Sequence, residues 1–192
     1  MTALWLSLAV VVFILTPGES FPDQRGRFEA AFNADDELIR PAGWREWIFV
    51  GNLLTRKNQN DGNTAVQEFH TVYIDPDSWE FWKRTGSFRE GAMLAMELTV
   101  AANKTASTGN GLFSGKIKKL EIAHKDSSRY PQSTSGWAYY SFSHKSKSYA
   151  DAATVMPIAV CAACHAAAAA DEMVFTQYYP ILVAAKDAGE RE

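Results

Sequence analysis

The sequence predicts a mainly β fold of the α+β type, with an antiparallel sheet and a few helices. Four stretches are rich in β-branched and aromatic residues, as strands usually are. They are residues 44–51, 68–74, 91–101 and 137–144. Turn-forming residues separate these stretches, and only short segments carry helix signals. At 192 residues, the chain suits a single domain with a sizeable core.

The N-terminal elements are delimited by residues that break regular structure. Residues 28–38 are predicted to be helical or irregular, and Pro41 and Gly43 end that stretch before the first strand. Residues 56–63 are polar and include an Asp-Gly pair, which is typical of a loop. The second strand follows this loop.

A helix is predicted directly after the second strand. Asp75 is a suitable N-cap, and Pro76 suits the first helical position because its missing N–H is not needed there. Trp79 and Trp82 are three residues apart and share one helical face. Gly86 is the expected C-terminal stop.

The C-terminal half is predicted to hold one more strand, two loops and two helices. Small polar residues and glycines indicate a loop at 103–111, and residues 112–125 form either one strand or a hairpin turning at Gly115. The other elements are a loop at 131–136, an alanine-rich helix at 166–170 and a last helix at 179–188.

The composition is that of an ordinary globular protein with many aromatic residues. The net charge of −3 argues against nucleic acid as a partner. Six Trp, seven Tyr and eleven Phe are available to fill a β-rich core, and some of them could wall a pocket.

The N-terminus resembles an export signal. Residues 4–15 are apolar apart from Ser7, which fits the core of a signal peptide and is short for a membrane span. No Lys or Arg precedes this core, and the cleavage site is not a clean A-x-A, so an uncleaved anchor is the alternative. We expect residues 1–20 to be the leader, and residues 21–192 to form one exported, periplasmic domain.

The principal motif is Cys161-Ala162-Ala163-Cys164-His165, which reads C-x-x-C-H. This is the attachment signal for a c-type haem. The two thiols form thioether links to one haem edge, and the adjacent histidine ligates the iron from the proximal side. Cys161 and Cys164 are the only cysteines, so the motif uses both.

The motif has three other possible interpretations. A thioredoxin-like redox pair would need a preceding strand and a helix opening at the first cysteine, and it leaves His165 unexplained. A zinc site would need two more ligands, but His70, His124 and His144 are scattered along the chain. Two buried thiols beside a chance histidine form the third alternative. Haem attachment is favoured because the leader predicts export.

Seven local motifs occur in order along the chain: WREWIFVG, TVYIDPDSW, FREGAMLAMEL, TGNGLF, GWAYYSF, CAACH and VFTQYYPIL. Together they resemble the cytochrome P-460 family, which includes the cytochromes c-prime-beta, over residues 32–186. The resemblance implies a mainly antiparallel β fold, usually dimeric, with one c-haem per subunit. His165 would be the proximal iron ligand, with the distal position open at rest.

Two activities are implied by this resemblance. Cytochromes P-460 oxidise hydroxylamine, whereas c-prime-beta members bind nitric oxide and other small gases. A lysine bonded through nitrogen to a haem meso carbon separates the two groups. In this sequence the lysine position falls at Met96, within FREGAMLAMEL.

The alternation around Met96 places it on an apolar strand face. That face comprises Leu94, Met96, Leu98 and Val100, and the opposite face carries Glu97 and Thr99. Met96 could be an ordinary core methionine, contact the haem edge, form a sulfur link to the haem, or become a sixth iron ligand. We expect edge contact, because the family's lysine meets the haem edge and not the iron.

Two further positions follow from the resemblance. The glutamate that assists proton transfer on the distal side matches Glu121, and a carboxylate suits that role because hydroxylamine loses protons as it is oxidised. The alternative is a solvated glutamate paired loosely with Lys119 or Lys125. Val66 falls near the family's bulky distal residue, which would make the distal cap smaller here.

Three classes of function are therefore open. The protein could be a five-coordinate haem protein that binds nitric oxide, or an oxidoreductase acting on hydroxylamine. It could also be an electron carrier ligated by His165 and Met96, exchanging electrons with a periplasmic cytochrome. High-spin five-coordinate haem favours the first two classes, and a low-spin spectrum favours the third.

Overall fold

The fold is an antiparallel β-sheet flanked by short helices, which confirms the predicted class. The structure is a computed structural model that describes residues 28–56, 67–145 and 148–189, with only the backbone described at 158–161. Its strands are β1 (Leu38–Ile39), β2 (Ile48–Thr55), β3 (Glu68–Ile74), β4 (Met93–Ala106), β5 (Gly109–Lys125), β6 (Trp137–Lys145), β7 (Ser148–Tyr149) and β8 (Ala152–Ala153). Its α-helices are α1 (Pro76–Thr85), α2 (Ile158–Ala168) and α3 (Pro180–Gly189).

The main sheet follows the chain order. Strands β2 to β7 lie side by side as an antiparallel meander, and β1 pairs separately with β8. Each strand of this sheet pairs with the next one along the chain, although helix α1 lies between β3 and β4. The two longest strands, β4 and β5, form a hairpin whose outer end extends beyond β3.

Alternation along the strands gives the sheet two apolar faces. Met93, Ala95 and Ile122 lie on the first face and belong to the first core, which packs against the N-terminal segment and the β1–β8 pair. Ala92 and Leu94 belong to the second core, on the second face of the sheet, which packs against the helices. Both faces are therefore covered, and the register of each strand decides which side chains meet the helices.

Helix α1 forms as its sequence predicts. The side chain of Asp75 accepts a hydrogen bond from the Ser78 backbone N–H at 2.9 Å, and Gly86 adopts a left-handed conformation at the C-cap. Asp75 is fully buried and also accepts hydrogen bonds from the Met93 N–H at 2.8 Å and the Arg89 guanidinium at 3.1 Å. One carboxylate therefore joins the helix start to the start of β4.

Helices α1 and α3 pack together on the second face of the sheet. Trp82 is fully buried, and its indole N–H donates to the Leu182 carbonyl at 2.9 Å. Trp79 packs against the same core, as expected from its place on the Trp82 face. The predicted helix at 179–188 corresponds to α3, which begins and ends one residue later.

Two predicted strand boundaries in the first half of the sheet were wrong. Residues 44–46 form a 3₁₀ turn in place of a strand, and β2 begins at Ile48. The Trp44 ring lies 5.7 Å from Tyr73 and 6.2 Å from Tyr149, so the turn buries an aromatic side chain in the first core. The strand predicted at 91–101 begins at Met93 and continues to Ala106.

The loop predicted at 103–111 is instead the tip of the β4–β5 hairpin. Residues 103–106 pair with 109–112, leaving only a short turn between them. Gly115 lies within β5 and makes no turn: a Cβ there would stand 3.0 Å from the Val100 carbonyl oxygen. A glycine suits this position because β4 and β5 approach each other closely near a register shift between the two strands.

The C-x-x-C-H motif lies inside a helix, which corrects the helix predicted at 166–170. Helix α2 begins at Ile158, after Pro157, and ends at Ala168. Among the described residues, no helix is long and apolar enough to cross a membrane. The predicted leader, Val66 and most of the predicted loop at 56–63 lie outside the described residues.

The buried side chain of His124 makes the stability of the fold depend on pH. The side chain is 3% exposed, and its Nδ1 lies 3.4 Å from the Tyr130 hydroxyl. Burial lowers the pKa of His124 to about 4. The folded protein therefore binds fewer protons than the unfolded chain between pH 6.5 and 4, so stability present above pH 6.5 is lost as the pH falls.

We expect His124→Gln to reduce the acid sensitivity of folding. The native protein should lose about 3 kcal/mol more unfolding free energy than the variant between pH 7 and pH 4. Urea unfolding at the two pH values measures this difference. Equal pH dependence in both proteins would contradict a neutral, buried His124.

Candidate functional site

A row of side chains crosses the second face of the sheet. Val72 on β3 is the cross-strand partner of Met96 on β4, and Met96 is the partner of Glu121 on β5. Glu121 in turn pairs with Ser141 on β6. The register therefore places Met96 and Glu121 side by side, although they are far apart in sequence.

Two adjoining cavities lie over this row. They contain about 660 and 720 Å³ of empty space, including the solvent at their mouths. Both are lined by the same five residues: Val72, Met96, His165, Phe175 and Tyr179. Their largely apolar walls are typical of sites that hold a small molecule or a cofactor. We refer to the two cavities together as the cleft.

Close packing of Tyr179 on a glycine contributes to the aromatic wall of the cleft. Gly51 on β2 lies under Tyr179, where a Cβ would stand 2.9 Å from the tyrosine ring. The glycine therefore lets Tyr179 pack closely on the sheet. Burial raises the pKa of Tyr179 to about 12, so its hydroxyl stays neutral in the wall of the cleft.

His165 contributes an imidazole to both cavities of the cleft, and the orientation of this ring is defined. The Nδ1 atom lies 2.6 Å from the Met173 carbonyl oxygen. A carbonyl can only accept, so Nδ1 carries the proton and Nε2 keeps a lone pair available to a metal. The imidazole lies between the rings of Tyr139 and Phe175, each 4.6 Å away between ring centroids.

The charge state of His165 suits metal ligation. Burial lowers the pKa of this imidazole, while the Met173 hydrogen bond and the Glu121 carboxylate oppose that effect. The neutral imidazole is the form that binds a metal. The influence of Glu121 also shows that the carboxylate and the imidazole belong to one electrostatic environment.

The carbonyl that orients His165 belongs to a strained turn. Asp171 and Val174 pair across two residues, Glu172 and Met173, whose φ angles are +42° and +70°. Positive φ at both central positions is the pattern of a type I′ turn, which favours Asn and Gly. Each of the two residues costs about 1–3 kcal/mol in this conformation. Tertiary contacts must therefore hold the turn.

Helix α2 is held in place at its C-terminal end. The Gln177 side chain donates to the Ala168 carbonyl at 2.7 Å and accepts from the Ala170 N–H at 3.1 Å. The first of these hydrogen bonds satisfies a carbonyl that the helix end leaves unpaired. The segment after α2 therefore caps the helix that carries His165 and also supplies the carbonyl that orients it.

Charged residues lie at the margin of the cleft. Glu121 lines one cavity and also forms an ion pair with Lys119. Lys125 does not pair with Glu121; it pairs with Glu172 at 2.7 Å. Glu121 is thus both a cleft residue and a partner of Lys119, which combines the two environments considered from the sequence.

Several cleft residues carry no recognisable sequence signal. Tyr139, Met173, Phe175 and Tyr179 line the cleft together with His70. Burial lowers the pKa of His70, while Glu68 at 3.8 Å opposes that effect. His70 lies two positions from Val72 and therefore shares its strand face. That this face lines the cleft can be inferred only once the Val72–Met96 register is known.

The surroundings of the cysteine motif can be compared with the alternative interpretations. Cys164 is exposed, whereas a merely structural cysteine is usually buried. Helix α2 begins three residues before Cys161, so it does not open at the first cysteine as a thioredoxin-like pair would require. Among the described residues, no group of three or more His, Cys, Asp or Glu side chains could hold a metal ion.

The structure brings His165, Met96 and Glu121 together around one cleft. Cys164 precedes His165 on α2, and the side chain of Cys161 lies outside the described part of the chain. An apolar cleft with an oriented imidazole is suited to a protein that binds a metal-containing cofactor. The site fits a haem because the walls are apolar and aromatic and the Nδ1 hydrogen bond leaves Nε2 as a ligand.

Comparison with known proteins identifies the family. The family model described as Cytochrome P460 matches residues 41–176, which include the cleft strands, the C-x-x-C-H motif and Met173. The chain therefore belongs to the cytochrome P460 family, as its sequence motifs predicted. Membership implies a haem cofactor and makes the protein an iron-containing cytochrome. No individually curated protein matches the sequence.

Proposed function

We propose that this protein is an exported, homodimeric c-type cytochrome whose single haem binds nitric oxide and related small nitrogen species. The observation that carries the proposal is the composition of the cleft, where His165, Met96 and Glu121 line one cavity. One oriented imidazole suits a proximal ligand, and methionine replaces the family's cross-linking lysine. The haem iron would supply the gas-binding chemistry.

Covalent attachment through Cys161 and Cys164 completes this proposal. Both cysteines and His165 lie on α2, so one helix would hold a haem edge and supply the axial imidazole. Attachment to this helix would hold the haem next to the sheet, where Val72 and Met96 line the cleft. The roles of the residues are then distinct: α2 holds the haem, and the sheet shapes its surroundings.

Met96 is proposed to touch the haem edge without ligating iron. Its strand neighbours are Val72 and Glu121, and the side chain packs against the second core. A thioether has no N–H to lose, so it cannot form the neutral nitrogen link that lysine forms. Without that link we expect the protein to bind nitric oxide and to oxidise hydroxylamine poorly.

Glu121 is proposed to hold or move a proton beside the bound ligand. Its side chain is 33% exposed and paired with Lys119, so it reaches both the cleft and solvent. A carboxylate in such a position can relay protons between the two. This retained glutamate is the observation that keeps a hydroxylamine oxidoreductase as the second candidate function.

Two substitutions at Met96 separate the proposed functions. Met96→Leu should leave the native spectrum and nitric oxide binding unchanged, because leucine preserves apolar contact. Met96→Lys, treated with peroxide, should gain a red-shifted ferrous band and measurable hydroxylamine turnover, because its amine can bond to the ring. Absorption spectroscopy and hydroxylamine consumption check both results.

The native protein and Met96→Leu act as controls for each other. Efficient hydroxylamine turnover by the native protein would make the oxidoreductase the correct function. A low-spin native spectrum that becomes high-spin in Met96→Leu would identify Met96 as an iron ligand and favour electron transfer. Failure of Met96→Lys to cross-link is weaker evidence, because the amine must lie within about 0.5 Å of a productive position.

A substitution at Glu121 tests the proton relay. We expect Glu121→Gln to flatten the pH dependence of reaction with hydroxylamine or peroxide and to slow the reaction about 100-fold, the lower end for acid–base catalysis. Glu97→Gln is the control: Glu97 lies on the opposite face of the sheet, where it pairs with Arg45. Stopped-flow kinetics measured across pH check this result. If Glu121→Gln keeps the native pH profile, Glu121 is a surface residue and not a proton relay.

A further inference from the structure

The turn that orients His165 is held from two sides by charged groups. On one side, Asp171 accepts hydrogen bonds from the Thr176 hydroxyl and, at 2.6 Å, from the Lys186 ammonium group. On the other side, Glu172 accepts from the Phe88 backbone N–H at 3.1 Å and from Lys125 at 2.7 Å. The two left-handed residues of the turn therefore depend on contacts from distant parts of the chain.

The Glu172 contacts tie the turn to the sheet. Lys125 is the last residue of β5, where it is in register with Trp137 at the start of β6. Its side chain is only 9% exposed, and its ammonium group also donates to the Ser135 carbonyl at 3.0 Å. A lysine so nearly buried needs a partner, and Glu172 is the carboxylate placed to provide it. The pair therefore has a fixed geometry.

The ion pair lies next to the group that orients the imidazole. Met173 follows Glu172 directly and has the larger positive φ, +70°. Its carbonyl accepts the proton of His165 Nδ1 at 2.6 Å, and the Tyr139 hydroxyl also lies 3.4 Å from that oxygen. The direction of this carbonyl depends on the backbone rotation that Glu172 holds. Displacement of Glu172 would turn the carbonyl away from the imidazole.

We propose that the Lys125–Glu172 ion pair is a positioning device for His165. It holds the strained turn so that the Met173 carbonyl keeps a short hydrogen bond to Nδ1. Such a hydrogen bond orients the ring, selects its tautomer and makes Nε2 a stronger donor to a metal. Lys125 and Glu172 thus act on the haem iron through His165 without contacting it, and the inference rests on the ligation proposed above.

Glu172→Gln and Lys125→Met test this device in the haem-loaded protein. Each should shift the iron–histidine stretching band of the ferrous protein to lower frequency and raise the reduction potential, because a weaker Nδ1 hydrogen bond makes Nε2 a poorer donor. The double variant should shift no further than the larger single variant, since both remove one interaction. Resonance Raman spectroscopy and redox titration measure these changes.

Two controls separate positioning from general stability. Glu97→Gln removes a carboxylate that pairs with Arg45 and Tyr149 on the opposite sheet face, where its side chain is 13% exposed. We expect that variant to keep the native band and potential. Lys125→Arg preserves the charge and should also keep them. If Lys125→Met fails to fold, the milder Glu172→Gln and the Lys125→Arg variant still decide the question.

The outcomes distinguish this inference from the proposed function. A native iron–histidine band that Glu172→Gln does not move would overturn the positioning role and leave ligation by His165 intact. An equal shift in Glu97→Gln would also overturn it, because the effect would then be general. A native protein whose ferrous haem is high-spin and yet lacks the band would overturn ligation by His165 and the positioning role together.

Discussion

Strand register is the constraint on which the site depends. Met96 faces the helices because β4 pairs with β3 through Val72 and with β5 through Glu121. A slip of one residue would move both side chains into the opposite core. Burial on both faces opposes such a slip, because it would bring Glu97 to the helix side in place of Met96. Asp75 adds a local restraint by joining the start of α1 to Met93.

On the α2 side of the cleft, a strained turn and not strand register positions the functional side chain. Helix α2 supplies His165, but the orientation of that side chain depends on a turn whose sequence does not favour its conformation. The cofactor side of the site thus combines local strain with long-range hydrogen bonds, whereas the sheet side is regular. Under the proposed function, a substitution at Met96 would alter the sheet side of the haem site and leave the orientation of His165 intact.

Local chemistry predicted the elements whose signals are complete in sequence. Strand β3 and helix α1 have the predicted bounds because alternation, the Asp75 cap and Gly86 act within a few residues. The hairpin tip was mistaken for a loop because its residues are small and polar, and the alanine-rich α2 lacks an apolar stripe. His70, Tyr139 and Phe175 could not be assigned to the cleft, since long-range pairing and packing bring them there.

The proposed site depends on Cys161 and Cys164 attaching the haem that His165 ligates. Intact-mass measurement after denaturing chromatography is the decisive experiment, because denaturation releases any haem that is held only by the cleft or by iron ligation. We expect the native polypeptide to keep its haem absorbance and to gain the mass of one haem, whereas the Cys161→Ala/Cys164→Ala variant gains none. A native polypeptide with no added mass, with its haem eluting separately, would rule out covalent attachment.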